Sequence, residues 1–204
     1  MQNIPRLVLA SESSRRADLL REAGFVFEVL PVRVDESPLP AETPAEMTLR
    51  LACAKARAAA PAAATFAPNS CILGADTAVI LGGVSFGKPS SPADAARMLR
   101  ALSGRAHIVL TGVCVIRIPG LTERSAVEST SVTFAQLSDD EIDAYVSSGE
   151  PFDKAGGYAI QGRASRFVTR IEGSYSNVVG LPISLVWALL RELGWRDSAL
   201  SRGS

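Results

Sequence analysis

Hydrophobic residues recur along the chain with two periods, near two and near 3.6, and the succession of these periods outlines strands and helices. The run "RLVLA" predicts a strand. "ADLLREAG" follows with apolar residues at helical spacing and with Gly24 placed to stop the helix. "FVFEVLP" predicts a second strand. "TPAEMTLRLACAKARAAA" opens with Thr43 as N-cap, Pro44 at the first helical position and Glu46 completing a capping box, so a long helix is expected there. Pro61 is expected to end it, with "PAAATFAPNS" as a connecting loop.

"CILGADTAVIL", the pair Gly82-Gly83 and "VSFGKP" predict a strand, a glycine turn and a returning strand. "SPADAARMLRALSG" repeats the helix grammar, with Ser91 as cap, Pro92 behind it, Asp94 near the positive end and Gly104 at the stop. "AHIVLTGVCVIRI" and "TERSAVESTSVTFAQL" alternate on either side of Pro119 and Gly120 as a long hairpin does. "SDDEIDAYVSSG" predicts a capped helix, and "LPISLVWALLRELG" predicts a strongly apolar helix ending at Gly194. The residues from 196 to 204 read as a frayed tail behind a single domain. Strands alternating with helices, interrupted by one hairpin, predict an α/β protein with a mixed sheet.

Composition narrows the function. Of 204 residues 47% are hydrophobic, enough for an ordinary core, and 21 basic residues balance 21 acidic ones. That balance argues against bulk nucleic acid or an anionic membrane as partner, so any anion site must be local. No apolar run approaches the roughly 20 residues of a membrane-spanning helix. The apolar core of "MQNIPRLVLASES" is too short for a signal peptide, and a cytoplasmic protein is expected. Cys53, Cys71 and Cys114 form no C-x-x-C pair, which speaks against a disulfide framework or a zinc site and for buried free thiols.

Three polar stretches are not explained by a core. In "ASESSRR", Ser11, Ser13 and Ser14 can cap a helix whose amides face an anion, while Arg15 and Arg16 diverge by about 100° around it. A capped surface helix with two solvated arginines explains the same residues. In "GADT", Asp76 ends an apolar run and can hold a divalent cation or orient water, or can simply form a turn. Lys88, between Gly87 and Pro89, is presented by a constrained backbone and suits a phosphate oxygen. "GEPFDKAGGYAIQG" combines Lys154, Gly156, Gly157 and Tyr158 with Gln161, whose amide can read a base edge, although a glycine-rich hairpin would look similar.

Neither the Rossmann fingerprint nor a Walker A loop is present. Glu36, expected after a β-type run in "VRVDESP", can approach Asp76 as a second metal-binding carboxylate or form an acidic turn. Lys55 sits on a helix of small and apolar residues, as a functional cation or a snorkelling one. His107, the only histidine, reads as structural, since no second histidine accompanies it.

Taken in order, "LASESSRRADLL", "VDES", the lysine in "CAKARA", "GADTAV", "GKP", "LSGRAHIVLTGV", "GEPFDKAGGYAIQG" and "FVTRIEGSYSNVVGLP" resemble the Maf family of nucleoside triphosphate pyrophosphatases, from about Arg6 to Trp195. The resemblance implies cleavage of a nucleoside triphosphate between the α and β phosphates, with Mg²⁺ or Mn²⁺. It implies an elongated mixed sheet flanked by helices, similar to the inosine triphosphate pyrophosphatases, with two lobes around a nucleotide cleft and the homodimer common in that family. Asp76 matches the family's proton acceptor. Ser11, Arg15, Arg16, Lys55 and Lys88 match its phosphate-side positions, and Ser14, Thr77 and Gln161 the positions tied to base selection.

The block "AGGYAIQG" is similar to the branch acting on dTTP and UTP rather than on 7-methyl-GTP. Two departures stand out: Ser14 replaces the usual proline, freeing the φ angle before the arginine pair, and Ala164 replaces a common glycine. A 7-methyl-GTP or broad-specificity pyrophosphatase and a nucleotide-binding regulator of division with little turnover are the alternatives to an enzyme acting on dTTP, UTP or modified pyrimidine nucleotides.

Overall fold

A computed structural model describes residues 5–196. The greater part of the expected tail therefore lies outside the described residues. The element order is β1 (Arg6–Leu9), α1 (Ser14–Glu22), β2 (Phe27–Val29), α2 (Pro44–Phe66), β3 (Ser70–Leu81), β4 (Val84–Phe86), α3 (Pro92–Leu102), β5 (Ala106–Ile118), β6 (Thr122–Phe134), α4 (Asp139–Ser147), β7 (Val168–Glu172), α5 (Tyr175–Val179) and α6 (Ile183–Glu192). The strands form a seven-stranded sheet in the order β2-β1-β3-β5-β6-β7, with β4 paired to β3. β1 runs parallel to β2 and to β3, whereas β3–β4 and β6–β7 are antiparallel, so the sheet is mixed as expected.

Local chemistry places most boundaries. Thr43 and Ser138 each accept from the backbone three residues on, and Glu46 and Glu141 return the bond, giving two complete capping boxes. Ser91 caps α3. Gly82 and Gly83 take the positive φ angles that the β3–β4 turn requires.

Three expectations are corrected. Pro61 does not end α2, which continues through the supposed loop to Phe66. The alanines around it have the strongest helix propensity, and Ala59, Ala60 and Ala63 are buried in the core, so packing outweighs one missing backbone bond. The strand expected across "FVFEVLP" shrinks to Phe27–Val29, and Val32–Val34 before Glu36 is irregular chain rather than strand. Finally, β7 and α5 form in the stretch after Phe167, where the hydrophobic pattern gave no element.

The chain divides into two compact units, one comprising residues up to 76, 111–128 and from 180, the other 77–110 and 129–179. In the first unit, Val8, Ile72, Cys114 and Ile116 pack against an alanine face of α2. The approach is close because both surfaces are small. A Cβ on Gly74 would meet the Ala52 carbonyl and lie 2.8 Å from the Ala56 nitrogen, and one on Gly112 would strike the Thr48 backbone. On other elements of this unit, Phe25, Trp187 and Trp195 form an aromatic cluster.

The second unit is built on Phe134, Tyr145, Tyr158 and Phe167, which meet edge to face or tilted. His107 packs against Phe134 and Tyr158 and is 2% exposed. Its Nε2 lies 2.8 Å from the Tyr158 hydroxyl, and burial pushes its pKa down to about 4. It is neutral and structural, as its isolation in the sequence suggests. Among the described residues no helix is long and apolar enough to cross a membrane.

Candidate active site

The short gap between β1 and α1 carries the serines. Ser13 is the N-cap, its hydroxyl accepting from the Arg16 N–H, while Ser11 is buried and accepts from the Ser13 N–H at 3.1 Å. Ser14 is the first helical residue and is exposed. Of the three serines that could cap the helix, the chain uses the one whose extended φ and ψ leave its oxygen facing the first turn.

Arg16 does not simply point at solvent. Its Nε donates to the Gly180 carbonyl at 2.9 Å, and one terminal nitrogen donates to the Ala75 carbonyl at 2.8 Å and to Ser11 Oγ at 3.3 Å. The planar fork therefore ties α1 to the end of the β1 strand, to β3 beside Asp76 and to the chain entering α6. Burial lowers its pKa from the ordinary arginine value, Asp76 opposes that shift, Arg15 adds to it and Glu36 opposes it. It stays charged. Arg15, one position back on the helix, is half-buried. Arg16 is thus bound to backbone carbonyls on either side of it rather than left to solvent.

Lys55 is the centre of the constellation. Close packing of α2 on β3 brings its ammonium 2.7 Å from Asp76 Oδ1 and 2.7 Å from Glu36 Oε1. The Lys55 side chain is 12% exposed and that of Asp76 16%, so this is no snorkelling lysine. Glu36 reaches in from the irregular segment before α2 and remains largely exposed. Another ion pair anchors that segment: Arg50 holds Glu42 and donates to the Ser37 carbonyl at 3.1 Å.

Two carboxylates thus converge on one cationic point, with a guanidinium on the main chain next to one of them. Their oxygen donors are of the hard type that Mg²⁺ and Mn²⁺ prefer, so the residues fit the cation that the family resemblance implies. Chemically, the cluster offers a carboxylate for a proton, charge for an anion and a fixed backbone to hold both.

The remaining expected residues lie in the second unit. Thr77 follows Asp76 on β3 and is half-buried. Lys88 is exposed, and the backbone just before it is fixed at Gly87, whose carbonyl accepts from the Gly156 N–H at 3.0 Å. Gln161 is exposed at a turn closed by a bond from the Gly162 N–H to the Ala159 carbonyl. The stretch forms 3₁₀ turns, Ala155–Gly157 and Arg163–Phe167, and not a hairpin.

Sequence reasoning did not anticipate a bracket that holds the Gln161 turn. The Tyr145 hydroxyl donates to Glu150 Oε1 at 3.0 Å and accepts from the Ala159 N–H at 3.2 Å, and Glu150 Oε2 accepts from the Arg163 N–H at 3.0 Å. The "GE" before "PFDKAGG" was the available signal.

A sequence model of the family described as Maf-like protein matches residues 6–193. A relative from Anaeromyxobacter dehalogenans (strain 2CP-C), named dTTP/UTP pyrophosphatase, is 53% identical over 193 residues, covering 94% of this chain and 95% of the relative. One from Moorella thermoacetica with the same name is 50% identical over 189 residues, covering 93% and 95%. Among solved structures, the Ham1 protein of Staphylococcus aureus is similar with a TM-score of 0.48 and 15% identity, over 92% of this chain and 99% of that one. With a family model matching residues 6–193 and about half of all positions shared with relatives over more than nine-tenths of their length, the chain belongs to the Maf-like protein family.

Proposed function

We propose that this protein hydrolyses the bond between the α and β phosphates of dTTP and UTP, releasing the nucleoside monophosphate and pyrophosphate. The observation that carries the reading is the pairing of Lys55 with both Asp76 and Glu36, in a chain whose relatives at half identity are named dTTP/UTP pyrophosphatases. Water adds its oxygen to the α phosphorus, its proton passes to Asp76, and the bond to the bridging oxygen breaks so that pyrophosphate leaves with the electron pair. Lys55 balances the carboxylates before the reaction and the phosphate oxygens during it.

Arg16 keeps the Ala75 carbonyl, and with it Asp76, in place. By the family resemblance, Ser11, Arg15 and Lys88 would meet phosphate oxygens, and Ser14, Thr77 and Gln161 the base. Glu36 and Asp76 would hold Mg²⁺ or Mn²⁺, which when bound would supply positive charge to neutralise the triphosphate. Free cysteines at 53, 71 and 114 suit the reducing cytoplasm in which we place the reaction.

A panel of nucleoside triphosphates assayed for monophosphate and pyrophosphate tests the proposal. dTTP and UTP are expected to give the highest kcat/KM, with the two products in equal amounts. Release of orthophosphate, preference for 7-methyl-GTP, or tight binding without turnover would contradict it.

A further inference from the structure

Away from Asp76, the first unit holds a second set of donor side chains. Cys53 on α2, Cys114 on β5 and Glu123 at the start of β6 place their two sulfurs and a carboxylate oxygen within 4.8 Å of one another. Cys114 is fully buried and Cys53 nearly so, while Glu123 is partly open to solvent. All three residues stand on regular elements. Cys53 and Lys55 are two residues apart on the helix, which turns their side chains about 200° apart, so this cluster is separate from the carboxylates around Lys55.

We propose that Cys53, Cys114 and Glu123 form a binding site for a thiophilic divalent cation, Zn²⁺. Sulfur donors about 2.3 Å from a tetrahedral zinc lie about 3.8 Å apart, so closing the observed cluster onto an ion needs movements of about 1 Å, within reach of side-chain torsions. Two thiols disfavour Mg²⁺ and Ca²⁺ and select a softer ion. On binding, each thiol releases its proton to solvent.

Two thiolates and one carboxylate then carry three negative charges, matched by the divalent ion and by Arg57. The Arg57 guanidinium holds Glu123 with two bonds, at 2.9 and 2.8 Å, and is one helical turn from Cys53. It fixes the carboxylate that the ion would use, as second-layer groups do at metal sites. Water on the open Glu123 side completes the coordination. A simple disulfide would give Glu123 and Arg57 no part, which is why the ion is favoured over oxidation.

The full chain, reduced and stripped of metal, is dialysed against buffered Zn²⁺ and titrated in parallel with Co²⁺. One Zn²⁺ per chain and a cobalt–thiolate charge-transfer absorption are expected. The Cys53→Ser/Cys114→Ser double variant should lose at least 100-fold in affinity, and Glu123→Gln about 10-fold. Asp76→Asn should bind Zn²⁺ unchanged, which separates this site from the cation of the proposed reaction, and the readout does not depend on turnover. Should the double variant not fold, protection of the two thiols of the native chain from alkylation by Zn²⁺ gives the same answer. Equal binding by the double variant, absence of the thiolate absorption, or thiol loss to a disulfide without metal uptake would overturn the proposal.

Discussion

Acidification of the native protein from pH 7 to pH 4 perturbs one buried base, the imidazole of His107. Its Nε2 faces the Tyr158 hydroxyl, its Nδ1 is buried without a hydrogen-bond partner, and aromatic rings flank it. Burial alone lowers its pKa from 6.5 to about 4, with no neighbouring charge contributing. In the unfolded chain the ring takes a proton near its ordinary value, so between those limits the unfolded state binds more protons than the native one. Stability is therefore fully retained above the unfolded pKa and lost as pH falls toward the folded one. The slope approaches about 1.4 kcal/mol per pH unit and the total about 3 kcal/mol. Urea unfolding of the native chain and of His107→Gln at pH 7, 6, 5 and 4 measures this, because carboxylate titration common to both cancels in the difference. The variant should lose less stability on acidification by about that amount. Parallel pH curves for the two proteins would refute the account of a neutral, desolvated imidazole.

Gly74→Ala should force α2 from β3, since the new methyl would overlap the Ala52 carbonyl; a loss of about 1–3 kcal/mol in chemical unfolding is expected, together with lower activity because Lys55 and Asp76 ride on those two elements. Gly162→Ala should drive a Cβ into the Glu150 carboxylate and break its bonds to Tyr145 and the Arg163 amide; steady-state kinetics should show KM for dTTP rising more than kcat falls, and an unchanged KM would count against a role for the Gln161 turn. Arg16→Lys keeps the charge but cannot serve the Ala75 and Gly180 carbonyls together; a loss of about 1–3 kcal/mol and a fall in kcat are expected, measured by thermal unfolding and pyrophosphate release.

Where the chain's information is local, the sequence is a sufficient guide. The capping boxes at Thr43 and Ser138, the Ser91 cap and the Gly82-Gly83 turn all depend on residues within four positions of one another, and each is found in place. Pro61 misled because a local breaker was weighed without the alanine face it serves, which is buried against Val8, Ile72 and Ile116. β7 was missed since its burial alternates poorly: it adds to β6 as a neighbour rather than by its own pattern.

At the site, the residue types were legible while their partners were not. Lys55 between Glu36 and Asp76 joins a helix, an irregular segment and a strand distant in sequence. Arg16 reads as a free cation until its three acceptors are known, two of them backbone oxygens that no side-chain motif reveals. Cys53 and Cys114 read as unrelated thiols for the same reason, having no shared motif and meeting only through the packing of α2 on the sheet.

The account rests most heavily on Asp76 as the acceptor of the water proton. Pyrophosphate release from dTTP, measured for the native chain and for Asp76→Asn under the same Mg²⁺ concentration, with circular dichroism to verify that both are folded, tests it directly. A fall in kcat of about 10²–10⁴-fold is predicted for the folded variant. A folded Asp76→Asn that turns over dTTP within a few-fold of the native rate would contradict it.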